Sequence, residues 1–460
     1  MSAVLKQEVS VVPEEKVREL KGRLEDPRLL TGRGKYVDDL NLEGQAYMGI
    51  VRTPFAHAKI KSIDFSKARA SPDFIAALTG EDLVKMGVGT VPQNQWPPQR
   101  PARRYHLAVG KARFAGEPVA AVLSRTKNAV EDLVELVVVD YEPLRAVTTI
   151  EESKRAKTLV YEDWSDNVSQ RDETKWGDVG RAIASAPYVI RAREGIARQH
   201  AAPMEPHSTL VQYKKKEDVY EVYATVQSVH GLRRQLASML HLAAEKFHVK
   251  VMDMGGGFGS KGAQSYPEPM LACLFSRMTG LPVKWTATRV EEFLEAASGR
   301  DEYCDITLAC DGDGRIIALK ADVECDVGVT GTQSHMPSLS IWSMLGHYKI
   351  PNVEARLAVY ATNKMPIGPV RGAGAPEGCY FIERAMNIMA EKMKIDPLEL
   401  RKRNLAPRKS GDANQIKLID SLVSHSRYEE LLAWKRDVNS RFNLQGPSHS
   451  STVAGLGVSF

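Results

Sequence analysis

The sequence predicts an α+β fold spread over several domains. Three observations carry that expectation. Segments alternating apolar and polar residues are interleaved with short helical patterns, two pairs of apolar segments flank polar turns as hairpins do, and two glycine-rich stretches lead into helical patterns.

The elements follow in order. Residues 1–20 are charged and lack an apolar h-region, which fits a solvated leader and not a secretory signal. Residues 21–148 read as a first α+β domain, with strands expected at 35–37, 46–52 and 58–63. The stretch 93–105, rich in proline, glutamine and arginine, reads as an irregular loop before a strand at 118–122, a helix at 127–134 and a strand at 136–141. A polar joint over 151–174 leads into a second region, 149–407, which opens with a hairpin formed by 209–213 and 219–226. A helix at 232–247, a strand at 249–252, a helix at 269–278 and a strand at 282–286 are expected next. A second hairpin, 306–308 with 316–323, turns at Asp311-Gly312-Asp313-Gly314. Ile382, Ala385, Met389 and Met393 share one face of a helix whose first turn suits Pro376. Asp396 and Pro397 read as N-cap and N1 of a further helix through Asn404. Residues 408–460 begin as a polar linker over 408–420 and end on the alternating apolar residues Leu456, Val458 and Phe460, the pattern of a strand in a polypeptide that is cut or split.

Composition narrows the functions. The net charge of +5 is spread along the chain with no basic patch, which argues against a nucleic-acid partner. The runs Lys214-Lys215-Lys216 and Arg401-Lys402-Arg403 read as a hairpin turn and a helix C-terminus. The five cysteines are scattered without a Cys-x-x-Cys pair, so no zinc ribbon or iron–sulfur cluster is expected on this chain and the thiols fit a reducing cytoplasm. No run of about 18 apolar residues predicts a membrane span.

Chemistry concentrates in two loops. Gly255-Gly256-Gly257-Phe258-Gly259-Ser260-Lys261-Gly262 removes side chains over a short span, so that a large ligand can approach backbone N–H groups. Its formal G-x-G-x-x-G match calls for a strand directly before it and a helix opening within it, whereas Pro267 and Pro269 hold the next helix away. A phosphate-binding P-loop fails because Ser260 stands where glycine is needed. A ligand-free close-packed crossing stays open, as does a nucleotide. The second loop, Pro369-Val370-Arg371-Gly372-Ala373-Gly374-Ala375-Pro376, sets an arginine fork at a helix N-terminus, a place suited to an anion. Its plainer alternative is a capping turn whose Arg371 pairs with a carboxylate. His200, Glu205 and His207 form an incomplete ligand set and read as polar residues at a strand edge. No G-x-S-x-G elbow supports a serine hydrolase.

Further motifs occur in a set order: Arg23-Leu24-Glu25-Asp26-Pro27-Arg28, Gly34-Lys35-Tyr36-Val37-Asp38-Asp39, Arg52-Thr53-Pro54-Phe55-Ala56-His57, Gly116-Glu117-Pro118, Asp140-Tyr141-Glu142-Pro143, Met204-Glu205-Pro206, Gln227, then the two loops. Together they resemble the molybdopterin-binding large subunit of the xanthine dehydrogenase, aldehyde oxidase and aerobic carbon monoxide dehydrogenase family. The resemblance runs from about residue 20 to the last residue. It implies a hammerhead-like α/β domain over 21–148, a first molybdopterin-binding domain over 149–407 and, over 408–460, a linker and the truncated start of a second. It also implies that Gln227 donates a hydrogen bond to a ligand of the molybdenum. Gly256, Gly257, Phe258 and Gly259 would approach metal and pterin through backbone groups, and Arg371, Gly372 and Ala373 would line the other side.

The implied cofactor is molybdopterin in its cytosine dinucleotide form, with no protein side chain as a metal ligand. The implied partners are an iron–sulfur small subunit, an FAD medium subunit and, if it is separately encoded, a carboxyl-terminal half of the large subunit. The implied activity is oxidation of a small carbonyl or heterocyclic compound with oxygen from water. Gly372 stands where carbon monoxide dehydrogenases carry a copper-holding cysteine, and Gly262 where xanthine-oxidising members carry an acid, so a small aldehyde is the expected substrate. No catalytic residue is assigned. The family's general-base glutamate falls beyond Phe460, so the chain is expected to be inactive alone. A catalytically dead, partner-binding fragment and an NAD-dependent dehydrogenase are the rival readings.

Overall fold

The computed structural model describes residues 23–91, 100–262, 266–330, 335–346, 348–405, 415–445 and 456. The largest sheet has seven strands, in the order Phe247–Lys250, Val219–Ala224, Ser208–Lys214, Val283–Thr286, Ala46–Arg52, Pro118–Ser124 and Phe74–Thr79. It is continuous across the expected boundary near residue 148, because Ala46–Arg52 runs parallel to Val283–Thr286 with Ala46 opposite Val283. A second sheet of five strands is ordered Val168–Trp176, Val353–Ala361, Ile316–Gly328, Glu302–Cys310 and Tyr188–Ile196. A three-stranded sheet of Lys111–Ala112, Ala58–Asp64 and Val138–Pro143 completes the first region.

Helices cover these sheets by burying one apolar stripe each. Leu232, Leu236 and Met239 of the Val229–Leu240 helix and Met270, Leu271 and Phe275 of the Pro267–Thr279 helix close the core of the seven-stranded sheet. Ile341 and Met344 of the Ser338–Met344 helix and Phe381, Met386 and Met389 of the Ala375–Met393 helix do the same for the five-stranded sheet. The Pro397–Asn404 helix is capped by Asp396, whose side chain accepts from the N–H groups of Leu398 and Glu399. Its Arg401 is fully buried and donates to Glu383 at 2.8 Å, so the basic run there is more than a solvated helix end. No described helix is long and apolar enough to cross a membrane.

Several expected elements are corrected. Residues 35–37 form no strand: Val37–Asp39 is a 3-10 turn whose Asp39 side chain accepts from Tyr36 N–H, while Lys35 N–H is bound to Asp253 at 2.8 Å. The helix expected at 232–247 stops at Leu240, where His241 takes a left-handed conformation, and Phe247 already belongs to a strand. The polar joint contains the helix Ile150–Arg155 and the edge strand Val168–Trp176. The linker expected at 408–420 is helical from Gln415, and Gln415–Ser426 and Tyr428–Gln445 pack on Leu398 through Ile419 and Tyr428. The strand expected at the last residues lies outside the described residues except for Leu456, which is not in a strand.

His106 is 4% exposed, and neither ring nitrogen finds a partner among the described residues. Burial pushes the imidazole down to about 3. The unfolded chain takes up this proton near pH 6.5, so stability falls as pH drops from about 6.5, by up to about 1.4 kcal/mol per unit. His106→Leu is expected to flatten that slope, as urea midpoints measured between about pH 6.5 and 5 will report.

Candidate functional site

The glycine loop leaves the edge of the seven-stranded sheet. The strand Phe247–Lys250 ends five residues before Gly255, and the next helix opens only at Pro267. A dinucleotide turn, in which strand, glycines and helix follow without interruption, is therefore not formed. Asp253, just before the loop, is held by Arg28 Nη2 at 2.7 Å and by Lys35 N–H at 2.8 Å. These contacts fasten the amino-terminal segment to the base of the loop and hold the Asp253 carboxyl well below its usual range.

The loop winds in tight turns, with Ser260 N–H donating to Gly257 O at 2.9 Å and Gly262 N–H to Gly259 O at 3.0 Å. The N–H groups of Gly256, Gly257 and Phe258 have no partner among the described residues. Gln227 approaches from the start of the Val229–Leu240 helix, and its Oε1 accepts from Gly259 N–H at 2.8 Å. That bond orients the amide: its oxygen is engaged, and its NH2 group has no partner among the described residues. A Cβ on Gly257 would lie 2.7 Å from Gln227 Oε1, and one on Gly259 would lie 2.3 Å from Pro369 O at a φ of +102°. Part of the glycine content thus serves close packing, as the plainer reading of the loop requires.

The second loop joins the first directly. Arg371 N–H donates to Phe258 O at 2.8 Å, and the Arg371 guanidinium lies 5.6 Å from the centre of the Phe258 ring. Arg371 forms no ion pair among the described residues, which removes the capping-turn alternative in which it pairs with a carboxylate. Arg300 supports the turn from behind, donating to Arg371 O at 2.9 Å and to Glu377 at 2.8 Å. Ala373 has a φ of +49° and donates to Val370 O, while Gly372 N–H has no partner among the described residues.

Gln227, Gly256, Gly257, Phe258, Gly259, Arg371, Gly372 and Ala373 therefore come together. They present free backbone N–H groups, one amide NH2 and one guanidinium, a surface of donors suited to a ligand rich in acceptors and negative charge. Behind the loop is a cavity of about 30 Å³ lined by His207, Gly262, Tyr266, Glu268 and Trp285. It can hold a water but no organic cofactor.

His200, Glu205 and His207 do not converge on one point. His200 Nδ1 accepts from Ala202 N–H, His207 Nδ1 meets Glu292 at 2.8 Å, and Glu205 accepts from Lys261 at 3.0 Å. The Glu205–Lys261 contact was missed at the level of sequence. A lysine inside a glycine run signals that a counter-charge must close on it.

The family description "Molybdopterin cofactor-binding domain" matches residues 160–405, and "Aldehyde oxidase and xanthine dehydrogenase, a/b hammerhead domain" matches residues 31–145. The chain is 33% identical over 393 residues to the 6-hydroxypseudooxynicotine dehydrogenase complex subunit gamma of Paenarthrobacter nicotinovorans, covering 83% of this chain and 49% of that one. It is 29% identical over 462 residues to the carbon monoxide dehydrogenase large chain of Hydrogenophaga pseudoflava, covering 94% and 56%. The crystal structure of quinoline 2-oxidoreductase from Pseudomonas putida 86 matches with a TM-score of 0.86 at 32% identity, over 91% of this chain and 55% of that one. The chain belongs to the molybdopterin-binding large-subunit family of molybdenum hydroxylases, and the expected α+β class with a hammerhead domain holds. It spans about half the length of the curated relatives it matches. Molybdopterin, a phosphorylated pterin, fits the donor surface of the two loops, whose N–H groups and guanidinium complement an anion.

Proposed function

We propose that this chain supplies one wall of the active site of a molybdenum hydroxylase that oxidises a small aldehyde or related carbonyl compound, with water as the oxygen source. The observation that carries this reading is the bond from Arg371 N–H to Phe258 O, which makes one donor surface out of two loops far apart in sequence. Bound molybdenum supplies two-electron redox chemistry that protein side chains lack. On the protein side, the Gln227 NH2 group would hold an acceptor at the metal centre, and the N–H groups of Gly256, Gly257 and Phe258 would hold the pterin side. Arg371, with Gly372 and Ala373, places positive charge opposite them.

The family resemblance favours a small aldehyde, since Gly372 stands where carbon monoxide dehydrogenases carry a copper-holding cysteine and Gly262 where xanthine-oxidising members carry an acid. The carboxylates bonded to these loops and their supports, Glu205 and Glu377, are committed to Lys261 and Arg300. The family resemblance implies a general-base glutamate in a carboxyl-terminal half of the large subunit, and we place it there; such assistance typically contributes roughly 10²–10⁴-fold. The cytosine dinucleotide form of the cofactor, the iron–sulfur and FAD subunits and a cytoplasmic location belong to the same proposal. So does the division into 21–148, 149–407 and 408–460.

Molybdenum analysis and an aldehyde–dye assay test the reading. The purified chain is expected to show no turnover alone and to gain it when a carboxyl-terminal half is co-expressed. Turnover by the chain alone would overturn the placement of the base. A co-expressed complex without molybdopterin would overturn the function. Arg371→Met is expected to lower molybdenum content in that complex about tenfold, the scale set by losing a charge-assisted contact, with the thermal midpoint unchanged.

A further inference from the structure

Both ends of the glycine loop close on a single carboxylate. Glu205 Oε2 accepts from Gly255 N–H at 2.8 Å and from Lys261 Nζ at 3.0 Å, while Glu205 N–H donates to Gly255 O at 3.1 Å. Lys261 is fully buried, so its ammonium has no solvent to replace the carboxylate. The approach at the other end is as tight as glycine allows, since a Cβ on Gly255 would fall 2.6 Å from Glu205 Cβ.

The turn that carries Glu205 is itself fixed. Arg289 donates to Pro203 O and Met204 O, both at 2.8 Å. Glu292 accepts from His207 N–H at 2.9 Å. Arg289 and Glu292 sit on the Arg289–Glu295 helix, capped by Thr288. A rigid helix thus holds the turn, the turn holds Glu205, and Glu205 holds the two ends between which the free N–H groups of Gly256, Gly257 and Phe258 project.

We infer that Glu205 and Lys261 are a positioning pair that sets the direction of these N–H groups, and that retention of the cofactor depends on the pair. The inference rests on the molybdopterin site proposed above. Neither residue bonds to Gln227 or Arg371 side chains, so both act through the loop backbone.

Three variants of this chain, co-expressed with the proposed carboxyl-terminal half, separate positioning from plain stability: Glu205→Gln, Lys261→Met and the double change. Each single variant leaves a buried charge unpaired and is expected to lower the thermal midpoint. The double variant removes both charges and is expected to return the midpoint to the wild-type value. Its loop still lacks the Lys261 tether, however. Amide exchange over 255–262 should remain about tenfold faster than in wild type, and molybdenum content about tenfold lower, the scale set by loss of supporting contacts around a metal. Wild-type exchange and molybdenum content in the double variant would overturn the inference. Faster exchange with unchanged molybdenum content would also overturn it. If wild type and all variants lack molybdopterin, the functional reading fails, while exchange at the loop still decides whether the pair orders it.

Discussion

Replacing Arg52 by methionine is expected to cost about 3–5 kcal/mol of folding stability near neutral pH, the range for breaking a buried ion pair by removing one partner. Arg52 ends the strand Ala46–Arg52 with its side chain 8% exposed, and it pairs with Glu268 and Glu291, each at 3.3 Å, and with Glu295. Glu268 starts the helix that follows the glycine loop, and Glu291 and Glu295 lie on the helix that supports the Glu205 turn. One arginine of the first region therefore neutralises carboxylates on two helices of the second.

The expected pH dependence has a definite sign. Burial, and then the neighbouring Glu295 charge, push the Glu268 carboxyl well above its usual range. Such a group keeps its proton to higher pH in the folded chain than in the unfolded one, which releases it near pH 4.3, so stability falls as pH rises through that window. Arg52 pulls the Glu268 carboxyl back down, so without it that carboxyl is held up further. The deficit of Arg52→Met should thus be larger at about pH 8 than at about pH 5. Urea midpoints at the two pH values check this, and an equal deficit at both would contradict it.

The second large effect is expected at Gly259. An alanine there would have to hold a φ of +102° with its Cβ 2.3 Å from Pro369 O, where nothing can yield but backbone. Strain of about 1–3 kcal/mol and overpacking of similar size together predict a loss of about 2–6 kcal/mol. The displaced segment is the one that carries Arg371, so the two loops should separate and molybdenum content should fall with stability. Gly312→Ala is the control, because no atom lies within 4 Å of a Cβ placed there. Urea unfolding and metal analysis of both variants decide the matter. A Gly259→Ala chain as stable as the control would show that the loops do not depend on this contact.

Much of the fold was legible where local chemistry and tertiary structure agree. The turn at Asp311 is fixed by its own side chain, which accepts from Asp313 N–H and Arg315 N–H, and the Asp396 cap is equally local. The errors fall where distant partners decide. Residues 35–37 alternate like a strand but spend a backbone bond on Asp253, a residue 218 positions away. Val168–Trp176 is polar along most of its length because it is an edge strand paired on one side only, and its charged residues hid it in an apparent joint. The strand Phe74–Thr79 and the helix Gly80–Lys85 drew no prediction, although Thr79 and Asp82 form a capping box readable at three-residue spacing.

The site divides in the same way. The glycines and Arg371 stand out in sequence because backbone freedom or charge marks them, whereas Gln227 is reached only through the family resemblance. That Gln227 turns its oxygen toward Gly259 follows only from the folded loop, and so does the closure of Glu205 on Lys261.

The continuity of the seven-stranded sheet also bears on how this chain tolerates cutting and shuffling. Ala46–Arg52 lies between Val283–Thr286 and Pro118–Ser124, so removing everything before residue 149 would strip the partner from one flank of Val283–Thr286. A strand bared in this way is a template for pairing with other chains. The amino-terminal region is thus a permanent cover for a self-associating edge, and a protein that lost it would be expected to associate through that edge.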